Sequence, residues 1–413
     1  MKAFWKEFSR RLFLLVPVVL FGMLVAPIPL FMLYMSTPPY LAKVLVPLLL
    51  AGFGALCLCI LVNAGIRRWV GRIYLVLCLG AAVFIVHGAW VDHIPTMPDR
   101  LTMLHEYEPN APDTRAVRLE EEPTLKLEGQ VLPSMDGATA LYPVYAAFAQ
   151  AVYPEGEYPL YGGGGGIVVS KEATAYQEKY NLVTCTNTVH AYERLINREV
   201  DVIFAAAPSQ AQLDAAEAAG MELHLTPIGR EAFVFFVNSR NPVEGLTVDQ
   251  VKGIYSGAIT SWQEVGGKNW SIRPFQRPEN SGSQSALQRL MGDTPILEPL
   301  QEDVAGDMGG IISQVASYRN YKNAIGYSFR FYSTQMVENN QIRLLALNGV
   351  LPTRETIRDG SYPISSQFYA VTAAPTGMSA PQARNAKLAA LLDWILSPQG
   401  QWIVDRTGYV SLG

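Results

Sequence analysis

Cysteine is scarce in this chain: four in 413 residues, three of which, Cys57, Cys59 and Cys78, fall in apolar stretches near the N-terminus. Beyond residue 91 there is only Cys185, so no intrachain disulfide can staple the larger C-terminal part, which has to rely on its own core. The five histidines are scattered, and no Cys or His spacing resembles a zinc site. No nucleophile–base pair stands out either, so the expectation is a protein that is not an enzyme and carries no cofactor. His190, beside Thr188, reads as a surface helix residue. The glycine run at 162–166 lacks the Gly-Lys-Ser/Thr closure of a phosphate-binding P-loop, because Ile167-Val168-Val169 follows it. It reads as a surface loop, since ordering consecutive glycines costs much entropy.

Near the N-terminus the missing feature is charge. Leu12–Met35, Val44–Ile66 and Ile73–Val91 contain no Asp, Glu, Lys or Arg, over 24, 23 and 19 residues. A helix of about 20 mostly apolar residues crosses a bilayer, so three membrane spans are expected. A signal peptide would be one such stretch, not three in series. Lys2, Lys6, Arg10 and Arg11 precede the first stretch and Arg67, Arg68 and Arg72 separate the second from the third. Basic loops stay inside, which puts the N-terminus in the cytoplasm and everything after Val91 outside the cell membrane. Residues 1–100 carry +6 and the remainder −10, which together make the chain's −4. An acidic outer part speaks against nucleic acid as a partner.

Residues 92–131 read as an extracytoplasmic linker, with Pro95, Pro98, Pro109, Pro112 and Pro123, an acidic run Glu120–Glu122 and no sustained apolar period. From 132 to 413 short apolar runs alternate with helical patterns. Helices are expected over Tyr142–Val152, Val189–Arg198, Asp249–Tyr255 and Gln382–Leu396, the last followed by a break at Ser397-Pro398-Gln399-Gly400. Strands are expected at Val200–Ala205, Ala232–Val237 and Phe368–Val371. Such alternation implies an α/β domain with largely parallel sheets and a ligand at the carboxyl ends of the strands.

Three segments share one local design. Asp136-Gly137-Ala138-Thr139-Ala140 leads into the helix at Tyr142, Thr186-Asn187-Thr188 into the one at Val189, and Arg277 through Ser283 into one near Gln284. Each sets a hydroxyl and free backbone N–H groups at the positive end of a helix, where proteins hold oxyanions. Arg277 could add a bidentate charge-assisted contact. Taken singly, each hydroxyl is better explained as a cap than as a ligand. Ser281-Gly282-Ser283-Gln284 and Thr247-Val248-Asp249-Gln250 both have capping-box spacing, in which Gln reaches back to the cap.

The run GREAFVFFVNSRNPVEGLTVDQVKGIYSGAITSWQEVGG (229–267) resembles the middle of the phosphate-binding proteins that serve ABC-type phosphate transporters. The resemblance continues through GATALYPVYAAFA (137–149), RPENSGSQ (277–284), AIGYS (324–328) and LLDWILSPQGQWIVDRTGYVSL (391–412), in the family's order. It implies a two-lobed type II periplasmic-binding-protein fold, one lobe at about 132–232 and 365–413 and the other at about 235–362, closing on a ligand between them. It also implies ligand-binding roles for Thr139, the backbone of Ala140, Thr188, Arg277, Ser281, Gly282 and Ser283. One departure stands out: many members have an aspartate where this chain has Ala206, a position at which a carboxylate would select a protonated oxyanion. Glu279 reads as a partner of Arg277 or a helix cap, and Asp201 as structural.

What the resemblance implies is a membrane-tethered solute-binding protein that captures inorganic phosphate, or a related oxyanion, and delivers it to ABC permease subunits. Three helices exceed what a tether into the lipid bilayer requires. That favours the alternative of a receptor or sensor signalling occupancy to a partner.

Overall fold

In a computed structural model the described residues are 2–25, 39–92, 100–129, 131–156, 158, 160, 182–300, 303–306, 308–316, 322–337, 339–378 and 386–413. The chain divides into two compact units, Met1–Thr96 and Met97–Gly413. The glycine run 162–166 lies outside the described residues.

The first unit contains helices α1 (Lys2–Val25), α2 (Pro39–Leu61) and α3 (Ala64–Asp92). Two stretches within them, Lys43–Leu61 and Ala64–Val86, are long and apolar enough to cross a membrane. The expected first span, 12–35, passes out of the described residues after Val25. Small residues let the helices approach: a Cβ on Gly52 would stand 2.5 Å from the Tyr74 hydroxyl. The Arg11 guanidinium donates to the carbonyls of Val62 (2.8 Å) and Leu61 (3.3 Å), capping the end of α2, and Arg67 reaches Val62 O at 3.5 Å. Arg11 of the N-terminal segment and Arg67 of the second loop therefore meet at the same end of α2.

The second unit opens with α4 (Arg100–His105). Residues 100–129, expected to form most of a linker, instead pack onto the domain: Met103, Leu104, Tyr107, Ala116 and Leu127 are buried in its core. The Gln399 side chain holds the segment, accepting from Thr124 N at 2.8 Å and donating to Glu122 O at 2.9 Å. Its apolar residues are too widely and irregularly spaced to give a periodic signal, which is why the sequence reads as tether.

Next come β1 (Met135–Gly137), α5 (Tyr142–Val152), α6 (Thr188–Ile196), β2 (Val202–Ala205), α7 (Gln210–Ala218) and β3 (Met221–Asn238). They are followed by β4 (Gly245–Leu246), α8 (Val248–Tyr255), β5 (Arg273–Pro274), α9 (Gly282–Met291), α10 (Met308–Ala316) and β6 (Ala324–Phe329). The chain ends with β7 (Ile342–Leu344), β8 (Ala346–Leu347), α11 (Arg354–Arg358), β9 (Ser365–Pro375), α12 (Ala386–Leu396) and α13 (Pro398–Thr407). Helix α5 matches its expected bounds, whereas the expected break at Ser397–Gly400 is a restart. Ser397 caps α13, accepting from Gly400 N at 3.4 Å, and Pro398 takes the first helical position, where its missing N–H costs nothing.

The main sheet has seven strands in the order β1-β2-β9-β3-β6-β5, with β7 also on β3. It is mixed rather than largely parallel. β1/β2 and β5/β6 are parallel, while β2/β9, β3/β9, β3/β6 and β3/β7 are antiparallel. The alternation of helix and strand misleads here because one strand, β3, pairs β9 and then β6 and β7 in succession and runs antiparallel to all three. Over 18 residues, β3 first pairs β9 from Met221 to Ala232, then β6 and β7 from Phe233 to Asn238. The register slips between Pro227, which has no N–H to give, and Gly229. A Cβ on Gly229 would stand 2.5 Å from the Phe368 ring. The run Phe233–Val237 is buried on both faces, which explains its uninterrupted apolar reading. In the first lobe Tyr145 stacks on Phe204 at 4.8 Å, and in the second Tyr255 and Tyr327 meet at 5.7 Å.

Candidate functional site

The first turn forms where β1 ends. Gly137 must come so close to β2 that a Cβ would lie 2.5 Å from Phe204 O, so only glycine fits. Thr139–Leu141 then make one 3-10 turn leading into α5. Under this turn sits Asp136, completely buried. Its Oδ1 accepts from Gly137 N (2.7 Å) and Thr186 N (2.8 Å), and its Oδ2 from the Thr186 hydroxyl (2.8 Å) and the Arg194 guanidinium. One carboxylate therefore joins the first turn to the second. The Ala140 carbonyl accepts from the Tyr409 hydroxyl of the distant C-terminal segment.

In the second turn Asn187, not Thr188, caps α6: its side chain accepts from His190 N at 3.0 Å. Its φ of 150°, in a region L residues rarely adopt, is the kind of local strain found at functional sites. Thr188 is the first residue of the helix, next to exposed His190.

In the third turn Ser281 caps α9, accepting from Gln284 N at 3.4 Å. The cap belongs to Ser281, not to Glu279. Only half of the expected capping box forms, because Gln284 Oε1 accepts from Arg277 N at 3.0 Å instead of reaching the Ser281 backbone. Arg277 N also points at Tyr327 Oη, 2.9 Å away, and the Tyr327 hydroxyl donates to Gln284 Oε1. Burial raises the Tyr327 phenol well above its usual range, which keeps it a donor. The box at Thr247 and Gln250 is complete.

The three turns meet. A cavity of about 370 Å³ is lined by all seven expected residues, Thr139, Ala140, Thr188, Arg277, Ser281, Gly282 and Ser283, together with Asn187, His190, Glu279 and Tyr332. Helix N-termini from both lobes converge on it, with the Arg277 side chain among them. Ser283 is 2% exposed and its hydroxyl has no hydrogen-bond partner among the described residues. Such a group calls for an explanation, and a ligand in the cavity is one. The lobes touch across it: a Cβ on Gly282 would lie 3.0 Å from Thr188 Oγ1. Further along the cleft Ser209 Oγ donates to Asn280 Oδ1 at 3.1 Å, and Arg289 donates to Ala207 O at 3.1 Å.

Ala206 lines a smaller space beside the cavity, and its carbonyl accepts from the Tyr192 hydroxyl at 2.8 Å. Asp201 is structural, its Oδ2 accepting from both N and Oγ of Ser134 at 2.8 and 2.9 Å.

Residues 130–399, more than half of the chain, match the family model of the PBP superfamily domain. The chain belongs to the PBP superfamily. The phosphate-binding protein PstS of Bacillus subtilis (strain 168) is 30% identical over 138 residues, covering 33% of this chain and 42% of its own. The phosphate-binding protein PstS of Borreliella burgdorferi is 23% identical over 192 residues, covering 45% and 65%. The chain thus spans 42% and 65% of these relatives' own length. An ABC-type phosphate transport receptor from Vibrio cholerae, a solved structure, is 18% identical with a TM-score of 0.46, over 68% of this chain and 99% of that one.

In this PBP superfamily member the lining residues that present hydroxyls and N–H groups were visible in the sequence, and the residues holding them were not. Arg194 reaches Asp136 across 58 residues, Gln284 and Tyr327 meet Arg277 N from 7 and 50 residues away, and Tyr409 reaches Ala140 O from 269. The one available signal was Asp136 itself, an acid in an otherwise apolar strand just before a glycine.

Proposed function

We propose that this chain is a membrane-tethered, extracytoplasmic solute-binding protein that captures inorganic phosphate between its lobes and delivers it to an ABC permease. The observation that carries the reading is the convergence of three sequence-distant helix starts and Arg277 on one cavity. Phosphate offers oxygens all round and no apolar surface, so a ligand shell of hydroxyls, backbone N–H groups and one guanidinium suits it. Thr139, Ala140 and Thr188 are the first-lobe ligands on this reading, and Arg277, Ser281, Gly282 and Ser283 those of the second. Ser281 caps α9 and offers its hydroxyl to the anion as well. The names of the Bacillus and Borreliella relatives point the same way. Tethering follows from the apolar N-terminal helices, with the N-terminus cytoplasmic and three spans in all. The work is binding and closure rather than catalysis.

A receptor that reports occupancy through the membrane helices is the second reading, favoured by a bundle larger than an anchor needs. Calorimetric titration of the full chain in detergent with phosphate and then sulfate tests the site that both share. Phosphate should bind, and Arg277→Ala should weaken it by about tenfold to a hundredfold, the worth of a hydrogen bond to a charged group. No heat and no thermal shift from the folded chain with either anion would sink the phosphate reading. Co-purification with a permease and ATPase, rather than with a signalling protein, separates uptake from sensing.

A further inference from the structure

Beside the cleft lies a buried carboxyl group to which the phosphate reading gives no task. Glu231 sits on β3 where that strand leaves β9, at the pair Glu231↔Ser366, and turns to β6, at Phe233↔Phe329. It is 4% exposed. Its Oε1 accepts from Ala232 N at 2.8 Å and its Oε2 from Phe331 N at 3.1 Å, so it ties the crossing strand to the turn after β6. A space of about 20 Å³ opens beside it, room for about one water. Five residues that line this space, Ala138, Ala140, Thr188, Gly282 and Phe329, also line the cleft. The carboxyl and the anion cavity therefore share a wall.

Little charge faces Glu231 to hold it ionised. From the second lobe Arg330 attracts it, but that guanidinium is engaged by Pro352 O (3.0 Å) and Gly408 O (3.4 Å), and Arg354 and Glu355 act on Arg330. From the C-terminal segment comes the Tyr409 phenol, which donates to Ala140 O. β9 contributes Ser366 and Gln367, and the first lobe Ala138, Ala140, Leu141 and Ala206, none of them charged. Burial outweighs the Ala232 N–H, Arg330 and the Phe331 N–H, and pushes the carboxyl up to about 7.

We propose that Glu231 selects the charge state of the anion this cleft accepts: protonated it is a neutral wall, and ionised it repels the bound oxyanion, a dianion most. The inference rests on the phosphate reading above. Linkage makes it reciprocal, because an anion in the cleft draws a proton from solvent onto Glu231. In the empty protein the group ionises as pH rises through about 7, so the penalty on binding is absent in mild acid and present in mild base.

The test titrates inorganic phosphate into the full chain in detergent, wild type and Glu231→Gln, at about pH 5.5 and about pH 8.5. At each pH both proteins meet the same mixture of phosphate ions, so the ratio of the two affinities isolates what residue 231 contributes. The ratio should be near one in acid, and the wild type should bind about tenfold or more weakly in base, the scale of two charges several ångströms apart at an effective dielectric constant near 20. A ratio that does not change with pH overturns the role of Glu231 while leaving phosphate binding intact. Absence of binding in both proteins at both values overturns the phosphate reading and this inference with it. Should the Gln variant not fold, infrared difference spectroscopy of the wild type at about pH 7.5 decides. Adding phosphate should increase the carbonyl band of a protonated carboxyl, and an unchanged band overturns the proposal.

Discussion

Asp136 illustrates how much one side chain can organise. No part of it reaches water, and a carboxylate in that position persists only if its charge is matched and its lone pairs are used. Arg194 matches the charge, while Gly137 N, Thr186 N and the Thr186 hydroxyl use the lone pairs. Arg194 is fixed in turn by donating to Thr184 Oγ1 at 2.9 Å. Asp136→Asn keeps the volume but removes the charge, leaving Arg194 to Glu199, half exposed and 3.5 Å away. Breaking one side of such a buried pair should cost about 3 kcal/mol, seen as a lower urea midpoint at unchanged slope. Phosphate affinity should fall with it, since the turns that carry Thr139 and Thr188 lose their common anchor. A wild-type urea midpoint would show that the pair only breaks even against its desolvation.

Among the elements, helix starts rather than helix bodies make the cleft, and Gly282 stands where two of them meet. At the first position of α9 it stands so near Thr188 that a Cβ would be 3.0 Å from the hydroxyl. Gly282→Val adds a branched wedge between the lobes without touching either core. Phosphate affinity should drop about tenfold or more by calorimetry, because the bound state needs the closed cleft. The thermal midpoint of the ligand-free protein should barely move; a large drop would mean that the close approach is a folding requirement instead. These starts were legible because each writes a hydroxyl just ahead of an apolar helical run, and α5 was legible to the residue because Pro143 marks its first turn. Pairing sense was not, since nothing local in Met221–Asn238 says that one strand serves two lobes in succession. Nor was the packing of residues 100–129, where single apolar contacts and the bonds of Gln399 replace any period.

At the scale of the whole domain the question is what holds the two lobes shut. Besides the Gly282–Thr188 contact, the Ser209 hydroxyl donates to Asn280 Oδ1, the Gln212 amide reaches Asn280 O at 3.5 Å, and Arg289 donates to Ala207 O. All three bridge from the first lobe to the loop and helix that carry Arg277 and Ser283. A binding protein has to open to load, so contacts of this kind set the balance between open and closed and thereby the apparent affinity. Asn280 adopts φ 62°, which glycine accepts without strain, so Asn280→Gly deletes the side-chain latch and leaves the Ser209 cap of α7 in place. Combined with Arg289→Ala it should weaken the closed state by about 2 kcal/mol, one to two net hydrogen bonds. That corresponds to up to about a thirtyfold loss in affinity, most of it in faster release, because capture occurs from the open state in both proteins. Stopped-flow release of phosphate measures it directly. An unchanged release rate would mean that closure is carried by the anion's own contacts. The bridges would then be incidental to capture, and the seven lining residues alone would have to account for the affinity.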